Sequence, residues 1–269
     1  MDNDPKQTRM RTNRFSKMAK KFVRSCHKIR LDTDAKTVSL DPILETLSGF
    51  RKNDEYVYEA LITGETGLGG ASLPYARLKE LEPLQKVFGD FVPEINQGKN
   101  SLIGDEWTEG LDFDYSPEGA WAVILLTDIA SQLPLFWHAN YDSITYILDD
   151  DKYADIVHIR EFLTPDGQLP DNYHELVDDI FKEGEERYFY AYPTREDLVK
   201  ALELHRENKL PSVSMNEDGS FDIKYYVWNE WNGLHRAVYH AKKDKKGKLS
   251  LTPTKESADV FRYNCGICY

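Results

Sequence analysis

Residues 211–253 read PSVSMNEDGSFDIKYYVWNEWNGLHRAVYHAKKDKKGKLSLTP. Aromatic and branched runs around Tyr225 and Val238 are separated by Asp218-Gly219, Asn232-Gly233 and a charged stretch holding Gly247. Asp-Gly and Asn-Gly supply the positive φ that tight hairpins need, and the runs between them suit a pleated surface. The spacing predicts an antiparallel meander of four or five strands over residues 212–263.

Upstream of that meander, helical and strand patterns alternate irregularly, with no repeated strand-helix-strand unit. That order predicts an α+β fold: a mixed helical and strand region followed by a C-terminal antiparallel β-meander. Residues 56–63 read as a strand. Asp41-Pro42 reads as a cap with proline at the first helical position, leading Ile43, Leu44 and Leu47 towards Gly49. Leu78, Leu81, Leu84, Val87 and Phe88 have helical spacing that Pro83 interrupts. Residues 95–115 read as irregular. Ser116-Pro117-Glu118 opens a helix over 117–132 that is apolar on most sides and therefore central. Residues 134–138 and 143–148 read as strands, while 153–162 fit helix and strand equally. Asn172 and Thr194 cap two more helices, and Tyr188, Phe189, Tyr190 and Tyr192 form an aromatic strand between them.

Charge divides the chain. Residues 1–31 hold ten Lys/Arg against Asp2 and Asp4, a net of +8; the formal total of −12 then leaves −20 on residues 32–269. Within the basic arm, Phe15, Met18, Ala19, Phe22, Cys26 and Ile29 recur at three- and four-residue steps and form one apolar stripe. Exposing that stripe to water is costly, so it is expected to dock on its own body or on a second copy of the chain, as a homo-oligomer. The expected organisation is a basic amphipathic arm (1–31), an α+β core (32–186) and a β-rich part (187–269) packed with the core as one domain.

No apolar run reaches the roughly 18–20 residues that span a bilayer. Cys26, Cys265 and Cys268 are too few for a disulfide framework, and a reducing cytoplasm is the expected compartment.

Several patterns invite chemistry. Gly64–Gly70 (GETGLGG) follows a strand, where a phosphate loop would sit, but Gly70 stands where the loop lysine is required. Asp112-Phe113-Asp114 puts two carboxylates on one side of an extended segment, the arrangement that holds a divalent metal for phosphoryl transfer. With His138 and Asp149 to Asp151 near later strand ends, the pair would make a metal-dependent nucleotidyl-transfer or nuclease-type site. Against that, Asp-x-Asp arises readily in a chain holding 46 Asp and Glu residues. Glu183, Glu185 and Glu186 read more simply as a solvated helix end than as sugar-transfer groups. Cys265-Gly-Ile-Cys268 supplies two of the four ligands a structural zinc needs, and Cys26 and His27 could join it if the termini meet. Two ordinary thiols is the simpler account.

No constellation outweighs its bland alternative, so no cofactor and no metal site is assigned. The charge asymmetry points instead to a non-catalytic interaction protein, an inhibitor or adaptor. Its acidic body would bind a basic segment of a partner protein, one that itself binds nucleic acid being the natural class. Direct nucleic-acid contact is expected only through the basic arm.

Overall fold

A computed structural model describes residues 5–28, 37–64, 70–83, 101–127, 129, 133, 146–149, 153–155, 157, 159–183, 194–229 and 233–262. The protein is α+β. In chain order the first part comprises α1 (Pro5–Lys28), β1 (Thr37–Ser39), α2 (Asp41–Leu44), β2 (Phe50–Lys52), β3 (Tyr56–Gly64) and β4 (Gly70–Leu78). After β5 (Ser101–Ile103) come a 3-10 helix (Gly104–Gly110), β6 (Leu111–Phe113), α3 (Pro117–Thr127) and β7 (Tyr146–Ile147). A 3-10 turn (Arg160–Phe162), α4 (Tyr173–Glu183) and α5 (Arg195–Leu204) follow. The chain closes with β8 (Ser212–Met215), β9 (Phe221–Asn229), β10 (Gly233–Lys243), β11 (Leu249–Pro253) and β12 (Ala258–Phe261).

The C-terminal sheet is antiparallel throughout and is built on the long β9–β10 hairpin. Each outer position is filled by two short strands: β11 and β12 flank β10, while β8 and β7 flank β9. The five strands over 212–261 match the expected meander, with one departure: β12 returns to β10 instead of adding beyond β11. Two of its turns share one geometry. The Asn216 amide donates to the Ser220 carbonyl at 2.8 Å and the Asp244 amide to that of Lys248 at 2.8 Å. Gly219 and Gly247 hold φ of 82° and 78°, which only glycine adopts without strain.

Alternation along β9 places side chains on both faces of the sheet. Phe221, Ile223 and Tyr225 enter one hydrophobic core, and Tyr226 and Trp228 enter another. The first core lies under α1 and α3. The Trp121 indole donates to the Phe15 carbonyl at 3.1 Å, and its ring meets that of Tyr225 edge-on at 5.1 Å. The second core is covered by Val177 of α4 and by Leu198, Ala201 and Leu202 of α5. A strand buried on both faces reads as a nearly continuous apolar run, as KYYVW does.

The stripe on α1 docks within its own chain. Phe15 and Phe22 are each 1 % exposed, and Met18, Ala19 and Cys26 are also buried. The helix packs on α2, α3, β7 and β8. Ile29 lies outside the described residues.

A four-stranded sheet in the order β1-β3-β4-β5 and a two-stranded ribbon, β2–β6, complete the described architecture. Three expectations are corrected here. Leu78 ends strand β4 and opens no helix. Residues 101–113 form two three-residue strands around a 3-10 helix, elements too short to leave a periodic trace. Asp41 is the first residue of α2, one position inside the expected cap, and its amide donates to the Ser39 hydroxyl at 3.2 Å. The caps at Ser116 and Thr194 form as expected, accepting from the Gly119 amide at 3.0 Å and the Asp197 amide at 3.1 Å. Residues 134–138 and 188–192 lie outside the described residues.

Candidate functional site

The ribbon β2–β6 brings together residues that are distant in sequence. Phe50 pairs with Phe113, Arg51 with Asp112 and Lys52 with Leu111. Its position is set by two glycines. The Asp114 amide donates to the Gly49 carbonyl at 2.8 Å, and a Cβ on Gly119 would lie 2.1 Å from the Asp114 carbonyl oxygen. Side chains at 49 or 119 would push the ribbon off the start of α3. The Asn53 amide bonds the Gly110 carbonyl at 3.2 Å, which carries the turn at Asp54 and Glu55 alongside Glu109.

Along this ribbon Asp112 and Asp114 are exposed, with the half-buried Phe113 between them. The alternation is the one the sequence suggests. Arg51 donates a hydrogen bond to Asp112 at 2.8 Å, with side-chain exposures of 77 % and 61 % respectively. A pair so solvated contributes less than about 1 kcal/mol, so an incoming cation can exchange with Arg51 at little cost. Asp54, Glu109 and Asp114 are exposed and have no ion-pair partner among the described residues. Burial pushes the Tyr58 phenol above its usual range, and the negative charges of Asp41 and Asp54 push it the same way. Phe50, Tyr56, Phe113 and Tyr115 stand half-buried beside these carboxylates. The Lys243 ammonium already rests 4.9 Å from the centre of the Tyr115 ring, which shows the cation–π contact that face accepts.

Exposed acids without an ion-pair partner also occur elsewhere among the described residues, Asp171 and Glu175 being two, while others are paired. On α4 and α5, Asp178 bonds Arg195, Asp179 lies 3.5 Å from Lys182, and Glu203 accepts from the Tyr173 hydroxyl at 3.1 Å. The Arg195 hydrogen bond holds the Asp178 carboxyl below the usual range. Buried acids are satisfied inside the fold as well. Glu59 takes both Arg77 Nε (2.8 Å) and Nη2 (3.0 Å) together with the Tyr75 hydroxyl (2.6 Å). Asp149 is bound by Lys20 and by the Ser16 hydroxyl at 3.3 Å. These groups are fully engaged in holding elements together.

A cavity of about 520 Å³ lies between α3 and the C-terminal sheet, lined by Phe22, Ile124, Tyr225, Val227, Ala237 and Tyr239 among others. His235 also borders it and is oriented by Asp259, 3.0 Å from its Nδ1.

Of the patterns singled out in the sequence, Gly64 and Gly70 pair as the ends of an antiparallel hairpin. A phosphate loop delivers the chain into a helix, so this strand-to-strand connection does not have its geometry. Residues 65–69, His138, Asp150, Asp151, Glu185, Glu186, Cys265 and Cys268 lie outside the described residues. Among the described residues no group of three or more His, Cys, Asp and Glu side chains is placed to hold a metal. No helix among them is long and apolar enough to cross a membrane. One signal was overlooked in the sequence: residues 101–128 contain seven acids and no lysine or arginine. That run encodes much of the ribbon's charge.

No family model matches this chain, and no curated protein and no solved structure is significantly similar to it.

Proposed function

We propose that this is a non-catalytic interaction protein, an inhibitor or adaptor acting in the cytoplasm, that binds a basic segment of a partner protein along the β2–β6 ribbon. The observation that carries the reading is the set of exposed carboxylates there, Asp54, Glu109 and Asp114, none of which has an ion-pair partner among the described residues. Exposed pairs are individually weak, so affinity comes from several acting together with apolar anchors. Phe50, Phe113 and Tyr115 supply those anchors, and a lysine or arginine of the partner takes the place Arg51 holds at Asp112. A partner whose basic segment otherwise grips nucleic acid has the matching chemistry.

The test is titration of a fluorescently labelled peptide of alternating arginine and leucine. Raising salt from about 0.05 to 0.5 M shortens the Debye length from roughly 14 to 4 Å, and affinity is expected to fall tenfold or more. Asp54→Asn with Asp114→Asn weakens binding, whereas Asp171→Asn with Glu175→Gln on the α4 side leaves it unchanged. Equal losses from the two pairs, or indifference to salt, sink the proposal. So does tight Mn²⁺ binding that disappears in Asp112→Asn and Asp114→Asn, which would restore the metal-dependent nucleotidyl-transfer or nuclease-type reading.

A further inference from the structure

The polar face of α1 carries a second surface of opposite sign. A helix turns about 100° per residue, so Lys17, Lys21, Arg24 and Lys28 fall within an arc of about 60°, spread over about 16 Å of axis. All four are exposed, and none has an ion-pair partner among the described residues. Their stripe lies across the helix from Phe15, Phe22 and Cys26, which are in the core. Two flanking cations are tied down, Arg14 to Glu118 at 3.2 Å and Lys20 to Asp149. Those two ties sit on either side of the stripe, and the buried Phe15, Phe22 and Cys26 fix the helix's rotation, so that the four cations point outwards together. The helix contains no acid. Like charges three and four residues apart repel, and nothing within the helix relieves that repulsion.

We infer that this stripe binds the phosphodiester backbone of nucleic acid, with Lys17, Lys21, Arg24 and Lys28 each neutralising one phosphate. Duplex DNA presents a charge about every 1.7 Å along its axis, so about 16 Å of contact offers more phosphates than the stripe has cations. The contact is with backbone alone and is indifferent to sequence. An anionic membrane fits less well: surface helices hold to a bilayer by inserting their apolar face, and that face of α1 is already buried. This surface uses none of the residues assigned to the β2–β6 ribbon and is tested without any protein partner.

Deleting α1 would uncover the core, so the test uses the full chain with substitutions on the polar face. Binding of a labelled DNA duplex of about 20 base pairs, and of its single strand, is followed by fluorescence anisotropy between about 0.05 and 0.2 M salt. Four phosphate contacts give a log–log salt slope of about −3.6 for the duplex, a loss of roughly 100-fold across that range. Lys17→Gln with Lys21→Gln lowers the slope by about 2 and weakens binding at least tenfold, with the circular dichroism spectrum unchanged. Lys245→Gln with Lys246→Gln, which removes equal charge from the β10–β11 turn, leaves the slope alone. Failure to bind either nucleic acid at the lower salt overturns the inference, as does a slope insensitive to the α1 substitutions. Binding to phosphatidylserine vesicles without binding to the duplex overturns it in favour of a membrane.

Discussion

Tyr226 shows how one side chain ties the fold to its solvent conditions. Its ring is buried in the second core, 1 % exposed, and its hydroxyl donates to the Glu207 carboxylate at the surface. Burial raises the phenol well above its ordinary range, and the hydrogen bond and charge of Glu207 raise it further. Tyr58 is raised for the same first reason. Groups raised in the folded state contribute stability that is fully present below their unfolded pKa, about 10 for tyrosine, and is lost as pH rises through the folded value. Denaturant midpoints are therefore expected to hold to about pH 9 and to fall above about pH 10. Tyr226→Phe costs about 1 kcal/mol at neutral pH, since Glu207 stays solvated, and makes the alkaline fall shallower. An alkaline limb identical in the two proteins would mean that other groups cause it.

At the scale of elements, α1 behaves as a core element even though its composition marks it as a tail. Phe22→Ala is expected to destabilise the protein by about 3–5 kcal/mol, as for other fully buried phenylalanines, whereas Lys21→Ala on the opposite face changes stability by less than about 0.5 kcal/mol. Urea unfolding of the two variants checks this, and similar small losses would mean the helix is only loosely attached. From residue 14 onward this helix was legible in the sequence because its apolar stripe samples the 3.6-residue period several times; residues 5–13, whose one large apolar side chain is Met10, extend it without such a signal. The β9–β10 hairpin was legible for a different reason, its turn glycines. The ribbon was not. Three-residue strands have no period to detect, and Phe50 and Phe113 meet only because Gly49 and Gly119 allow a close backbone approach far from either strand's own sequence. Asp112 and Asp114 did stand out in the sequence, as a candidate metal pair set against a chance Asp-x-Asp, but the pairing of Asp112 with Arg51, 61 positions away, left no local trace.

In the molecule as a whole, one hairpin serves two cores. Phe221, Ile223 and Tyr225 are gripped by the layer beneath α1 and α3, and Tyr226 and Trp228 by the layer beneath α4 and α5. Neither layer can loosen without baring one face of the same strand, so the cores are linked energetically through β9 and β10. The outer strands break that uniformity, because each flanking position is split between two short pieces of two to five residues. A short piece can detach alone, at the cost of only its own few backbone bonds. Amide exchange in deuterated water should therefore be two-tiered. The protons bonded between β9 and β10 around residues 223–227 are replaced only when the whole chain opens, while those of β8 and β12 are replaced through partial openings, orders of magnitude sooner. If the two tiers were found to exchange together, the split edges would be as firmly held as the hairpin they flank.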